Sequence, residues 1–352
     1  MKEAVESMIL AGDVGATKTI LGLFASGNGR PSLVSQKTFR SASYQGLAPM
    51  VREFLADGNR AVSACFGVAG PVINNTAEVT NLSWFEDGQS LASDLKLERV
   101  SLINDIVAIG YGVAALKDED FLVLNPGKNL GPANSAIIAA GTGLGECTLY
   151  WDGKHHVPVP SEAGHSDFAP YDDLSTELIR YLRNKGLFTN IEQILSGPGL
   201  VNIYSFLRDT TGMVESADVI QAMRMEDPAA VIAQAASEGR CKLCMRTLEI
   251  FVCAYGAEAG NLALRTVAVG GIYLSGGISR RILSNLQDGA FMRWFINKDR
   301  QASLLSQIPV RVILNDNTPL FGAVATLRSA RRAASIVFPS VRRRSCALPV
   351  AA

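Results

Sequence analysis

The chain has 352 residues, 48% apolar and 19% charged, and its 33 basic and 33 acidic side chains cancel to a formal charge of zero. That length exceeds what one hydrophobic core usually supports, so two domains are expected, and the balanced charge offers no overall field for nucleic acid. No apolar run reaches the roughly 18 residues of a membrane span, and the first ten residues include Glu3 and Glu6, which speaks against a secretory signal and for a cytoplasmic protein.

Strands are predicted at Ile9–Ala11, Ile20–Phe24, Leu33–Phe39, Ala61–Val68 and Val100–Ile103. The first three are joined by short Gly/Asn connections and should form an antiparallel meander. Leu47, Met50, Val51, Phe54 and Leu55 recur at helical spacing with Gly58 as the stop. Once helices enter, parallel pairing is expected. After Asp118-Glu119-Asp120 the theme repeats, with strands near Ala136–Ala140, Glu146–Trp151 and His156–Pro160. A mainly helical stretch from Asp173 to Val269 follows, then strands at Gly271–Ser275 and Val310–Leu314 and an amphipathic helix over Gly322–Ala334. The expected fold is α/β: two domains of mixed sheet flanked by helices, with a cleft between them. The last 25 residues hold six arginines and no acidic side chain, and read as a helix end with a frayed terminus.

Two glycine-rich turns stand out. Ile9-Leu10-Ala11-Gly12-Asp13-Val14-Gly15-Ala16-Thr17-Lys18 and Ile137-Ile138-Ala139-Ala140-Gly141-Thr142-Gly143-Leu144-Gly145 both run from an apolar strand through a tight turn into a second strand. Glycine lets backbone N–H groups approach an anion and the threonine hydroxyls add donors, so facing turns of this kind can hold a polyphosphate from both sides. The strand–turn–strand arrangement lacks the ending of a Walker loop and the helix of a Rossmann turn. Of the six cysteines, Cys241 and Cys244 form a Cys-x-x-Cys without a second pair or nearby His. They fall on one helical face with Leu248, Phe251, Val252, Tyr255, Ala259 and Leu262, and read as core packing rather than a metal or redox site.

Asn104 and Asp105 sit where a strand gives way to a helix, the usual ligand position in α/β sheets. An aspartate there can take the proton of a substrate hydroxyl, and both residues are equally good helix caps. Glu162 and His165, separated by Ala-Gly, can point into one small polar pocket suited to a polyol; Pro160 and Gly164 make the segment a loop and argue against zinc. Glu192 precedes the turn Ser196-Gly197-Pro198-Gly199 and, taken by itself, reads as a solvated helix residue.

Together these segments resemble the bacterial ATP-dependent glucokinases. The likeness is carried by Leu10–Thr17, Ile103-Asn104-Asp105, Ala140–Gly145, Ser161-Glu162-Ala163-Gly164-His165-Ser166-Asp167-Phe168 and Leu195–Asn202. Tyr273-Leu274-Ser275-Gly276-Gly277-Ile278 and Asn315-Asp316-Asn317 also match in order and spacing, so the likeness runs from Met8 to Ala334. Ser166 to Asp173 contains no cysteine, unlike the zinc motif of ROK sugar kinases, and the first strand begins too early for the DNA-binding helix-turn-helix of ROK repressors.

The resemblance implies an actin-like, hexokinase-type fold: a small domain over 8–115 plus 317–337, a large domain over 116–316, and a disordered tail over 338–352. It implies a cytoplasmic homodimer that acts on glucose and ATP with Mg²⁺, binding neither nucleic acid nor membrane. Asp105 would be the base for the sugar 6-hydroxyl. Asn104, Glu162, His165 and Glu192 would hold the other hydroxyls. Gly12, Asp13, Val14, Gly15, Ala16 and Thr17, with Gly141, Thr142 and Gly143, would hold phosphates. Gly276 and Gly277 would let the adenosine lie against the backbone, and Asp13 would lie near Mg²⁺ through water. Lys18 stands where some members have Asn and could reach a phosphate. Two alternatives are a kinase for another hexose (fructose, mannose or N-acetylmannosamine) and a non-catalytic sugar-sensing regulator.

Overall fold

The computed structural model describes residues 8–335 apart from 26, 28, 57, 81 and 129. The tail expected over 338–352, with three of the six C-terminal arginines, lies outside the described residues.

The first sheet has β1 (Met8–Val14), β2 (Lys18–Ala25), β3 (Ser32–Arg40), β4 (Ser63–Val68) and β5 (Arg99–Asn104) in the order β3-β2-β1-β4-β5. β1, β2 and β3 are antiparallel neighbours, whereas β1, β4 and β5 are parallel. The chain dictates this change. Short turns can only reverse direction, while helices α1 (Leu47–Ala56) and α2 (Gly88–Leu95) supply the longer crossovers that parallel strands need. β4 is buried along its whole length between its neighbours. β3, at the edge, is mostly exposed.

The second sheet repeats the plan with β6 (Phe121–Asn125), β7 (Ser135–Ala140), β8 (Leu144–Trp151), β9 (His156–Ser161), β10 (Gly271–Ser275) and β11 (Val310–Ile313), in the order β9-β8-β7-β10-β11-β6. Three antiparallel strands again lead into two parallel ones, and β6 adds an antiparallel edge. β6 and a small three-stranded sheet (72–73, 76–78 and 85–87) escaped the sequence reading because such short pieces carry too little periodicity. The fourth strand starts at Ser63 rather than Ala61. The last helix starts at Thr318 rather than Gly322.

Helix α3 (Asp105–Val113) lies between the two sheets and begins where β5 ends. One face packs Ile106 and Ile109 against Ile137, Cys147 and Leu149 of the second sheet. On the other side it crosses the final helix, which packs against β1 and β4. The crossing is backbone on backbone: a Cβ on Gly322 would lie 1.7 Å from the Ala108 carbonyl oxygen, and one on Gly112 would lie 2.0 Å from that of Thr318. The two connections between sheets meet at Asp120, which accepts from the Asn315 amide at 2.8 Å and pairs with Arg30 at 3.0 Å. The Leu314 N–H donates to the Asp120 carbonyl at 2.8 Å.

The longest helix, α4 (Lys242–Thr266), is capped by Cys241, whose Sγ accepts from the Cys244 N–H at 3.3 Å. Both cysteines are buried. Burial pushes the Cys244 thiol far up, so the pair is packing material, as the helical face suggested. Less expected are Glu146 of β8 and Glu258 of the helix, both buried and bridged by Arg265. The Glu146 carboxyl is raised, first by burial and then by the charge of Glu258.

Candidate active site

The strand ends assemble the site. In the first sheet Asp13 pairs with Gly67, and Val68 in turn pairs with Asn104. The first glycine turn and the Asn104-Asp105 pair therefore open at the same edge, two strand spacings or about 10 Å apart. Gly67, between them, lets α3 pack closely on the sheet, since a Cβ there would lie 2.9 Å from the Ala108 Cβ.

The first turn closes by the Gly15 N–H donating to the Lys18 carbonyl at 3.1 Å. Ser41 braces it from beneath, its hydroxyl donating to the Gly15 carbonyl at 2.6 Å. Thr17 and Lys18 are exposed at its rim, and Ala16 and Asp13 are part-exposed. Asp13 is the most perturbed carboxyl here, raised from 3.8 to about 7. Burial is the largest cause, and the charge of Asp105 adds to it; Lys18 and Arg280 pull the other way. Arg280, which pairs with Asp316, was not singled out from the sequence, although it follows the Gly276-Gly277 turn closely.

Asn104 performs the capping that its position allowed. Its Oδ1 accepts from the N–H groups of Ile106 and Val107 at 3.1 and 3.3 Å, while its Nδ2 donates to the Gly70 carbonyl at 3.0 Å. Asp105, part-exposed beside it, has one oxygen steadied by the Ile106 N–H at 2.8 Å. Burial raises the Asp105 carboxyl from 3.8 to about 6 against those hydrogen bonds, and the nearby Glu162 charge adds to the rise. The fold has thus brought Glu162 within electrostatic reach of Asp105.

In the second sheet β7 and β10 run parallel, with Ala139 beside Ser275. Their glycine turns are consequently neighbours. Gly276 has φ +90, and a Cβ on it would lie 2.1 Å from the Ala140 carbonyl, so only glycine fits this approach. The Tyr255 hydroxyl ties the two turns together, donating to the Ile138 carbonyl at 3.1 Å beside the Ser279 hydroxyl at 2.9 Å. The Gly141 N–H donates to the Gly143 carbonyl at 2.9 Å, closing the second glycine turn with Thr142 exposed at its tip.

Glu162 and His165 are exposed at the two ends of one short turn, in which the His165 N–H donates to the Glu162 carbonyl at 3.0 Å. β9 continues to Ser161, so the loop expected from Pro160 begins later. Glu192 is not a solvated helix residue. It sits in a 3-10 turn, Ile191–Gln193, and its Oε2 accepts from the Leu144 N–H at 2.9 Å. The Ser196–Gly199 turn is a helix start, capped by the Ser196 hydroxyl accepting from the Gly199 N–H at 3.0 Å. Among the described residues no group of three or more His, Cys, Asp or Glu could hold a metal ion. A groove of about 570 Å³ along the outer edge of β5 is lined by none of these site residues.

The profile of the glucokinase family matches residues 10–330, a span that contains every site residue named above. The chain belongs to the glucokinase family. It is 42% identical to the glucokinase of Trichormus variabilis over 334 residues, covering 90% of this chain and 98% of that one. Identity to the glucokinase of Colwellia psychrerythraea is 31%, covering 93% and 98%. The crystal structure of a glucokinase from an Antarctic psychrotroph superposes with a TM-score of 0.79 at 29% identity, covering 92% of this chain and 99% of that one. The glucokinase of Balamuthia mandrillaris in complex with glucose shares the fold, with a TM-score of 0.78 at 22% identity and coverage of 93% and 95%. Family membership accounts for the actin-like, hexokinase-type pairing of two similar sheets. No helix among the described residues is long and apolar enough to cross a membrane.

Proposed function

We propose that this glucokinase-family chain transfers the γ-phosphoryl group of ATP to the 6-hydroxyl of glucose, with Asp105 as the base. The observation that supports the reading is the position of Asp105: a part-buried carboxyl at the N-terminus of α3 that is electrostatically coupled both to Asp13 of the first glycine turn and to Glu162. The sugar oxygen forms its bond to the γ-phosphorus as the bond from phosphorus to the β-bridging oxygen breaks. The hydroxyl proton passes to Asp105, and ADP leaves. Such a reaction needs in-line positioning and charge neutralisation more than covalent chemistry.

Glu162, His165, Glu192 and the remaining donor capacity of Asn104 hold the other hydroxyls, so a sugar with the wrong hydroxyl leaves a polar group unpaired. The phosphates would lie against the first turn (Gly12 to Thr17) and the second (Gly141 to Gly143), whose Gly15 and Gly141 N–H groups close the turns themselves and leave the other N–H groups at the turn tips as donors. Gly277, which is exposed and has open space around its Cα, gives room for the adenosine beside Gly276. Lys18 and Arg280 supply positive charge around Asp13.

The residues suit Mg²⁺ of the kind held mostly by phosphates. Asp13 is a desolvated carboxylate that feels the charges of Asp105 and Asp316 but belongs to no cage of protein ligands among the described residues, and a divalent ion would relieve the cost of its ionisation. When bound, that ion would offset the negative charge of the phosphates. We also expect the two sheets to close on the substrates and exclude water, and the chain to pair as a homodimer.

A coupled ADP-release assay over a panel of hexoses with ATP tests the reading. Glucose is expected to give the highest kcat/KM. ATP turnover that is independent of any hexose would refute it.

A further inference from the structure

Gly143 lies in the turn assigned above to phosphate, yet its nearest neighbour is the sugar-side carboxylate. A Cβ built on Gly143 would fall 2.5 Å from Glu192 Oε2, 3.3 Å from its Cδ and 3.9 Å from its Oε1, with no other residue closer. The missing side chain is the seat in which that carboxylate rests while it accepts from the Leu144 N–H at 2.9 Å. The conformation of Gly143 does not itself demand glycine, because its φ is not positive.

The surroundings tie the turn to the sugar side more widely. The Gly197 N–H donates to the Gly141 carbonyl at 2.8 Å, and the Ser196 hydroxyl donates to the Glu192 carbonyl at 2.6 Å. A Cβ on Gly164, within the Glu162–His165 turn, would lie 2.3 Å from the Leu144 carbonyl oxygen. The Leu144 backbone thus holds Glu192 through its N–H and carries the Glu162–His165 turn against its carbonyl.

We infer that Gly143 is a positioning residue for the sugar: it holds no phosphate that alanine could not, and it is glycine so that Glu192 stays docked on the Leu144 N–H with its second oxygen free for a hydroxyl. This rests on the reading of Glu192 as a sugar ligand. A methyl group on Gly143 meets only the end of a flexible side chain, so the backbone of the turn persists while the carboxylate is displaced. A displaced carboxylate loses a charge-assisted hydrogen bond, of a kind that contributes about 1.5–3 kcal/mol, or about a ten- to hundredfold change.

The test is the kinetics of Gly143→Ala, Glu192→Ala and the double variant. Gly143→Ala is expected to raise the glucose KM about ten- to hundredfold while the ATP KM moves less than about threefold. In the Glu192→Ala background the same change is expected to add less than about twofold, because the two residues act as one unit. A raised ATP KM with an unchanged glucose KM, or a full effect persisting without Glu192, overturns the inference alone. A Glu192→Ala enzyme with a normal glucose KM overturns the sugar-site reading together with it. Hydrogen exchange gives a readout independent of how the glycine variant folds. The Leu144 amide should be protected in the wild type and exchange at least about tenfold faster in Glu192→Ala; equal rates refute the contact.

Discussion

Replacing Asp105 with asparagine should make the protein more stable and nearly inactive at once. Asparagine keeps the shape and can still accept from the Ile106 N–H, now 2.8 Å from Oδ1. What it removes is a charge that the site disfavours. The rise from 3.8 to about 6 corresponds to about 3 kcal/mol of unfavourable ionisation at pH 7.5, at about 1.4 kcal/mol per pH unit. Asp105 is part-exposed to the cleft, so water recovers some of this and the expected gain is about 1–3 kcal/mol. The folded carboxyl holds its proton more tightly than the unfolded one. The penalty is therefore absent below about pH 4, grows with pH, and is complete above about pH 6. For a chain of this size the gain is a rise in Tm of about 1–4 °C at pH 7.5, closing towards pH 4. Over the same substitution kcat should fall about 10²- to 10⁴-fold. Thermal unfolding at several pH values, beside ADP release, checks both halves. Near-normal turnover would remove Asp105 from the base role, and a variant less stable than wild type at pH 7.5 would refute the burial argument.

The pH dependence of kcat/KM for glucose should show an acidic limb centred near pH 6, where Asp105 loses its proton; a flat profile from pH 5 to 7.5 would contradict this. Glu162→Gln should raise the glucose KM and move that limb to lower pH, since a charge that opposes ionisation of Asp105 has gone; neither effect appearing would place Glu162 outside the site. Gly322→Ala forces a methyl group to within 1.7 Å of the Ala108 carbonyl, so α3 must move. The expected cost is about 1–3 kcal/mol or more, with a drop in kcat because α3 carries Asp105; an unchanged Tm would argue against the tight crossing. For Glu146→Gln the effect should depend on pH. The folded carboxyl holds its proton more tightly than the unfolded one, so wild-type stability should decline from about pH 4.5 upwards and level off above about pH 8, and the variant should flatten that decline in thermal melts.

Much of the architecture was legible because it follows from local rules. Short Gly/Asn connections make β1 to β3 antiparallel, and helical stretches of chain make the later strands parallel. The buried helical face of Cys244, Leu248, Phe251 and Tyr255 could be read from spacing. Glu192 could not, because an isolated glutamate has no local pattern and its partner, Leu144, is remote in sequence. Nor could Arg280, whose relation to Asp13 exists only across the cleft.

From the residues themselves came the two phosphate-type turns, the strand-to-helix step at Asn104-Asp105 and the family likeness, since each is written in contiguous residues whose backbone preferences act locally. Tertiary structure alone decided how far each carboxyl is desolvated, which charges it feels, and which glycine makes room for which side chain. Those quantities depend on atoms from distant segments packed within a few ångströms, where burial and Coulomb interactions change steeply with distance.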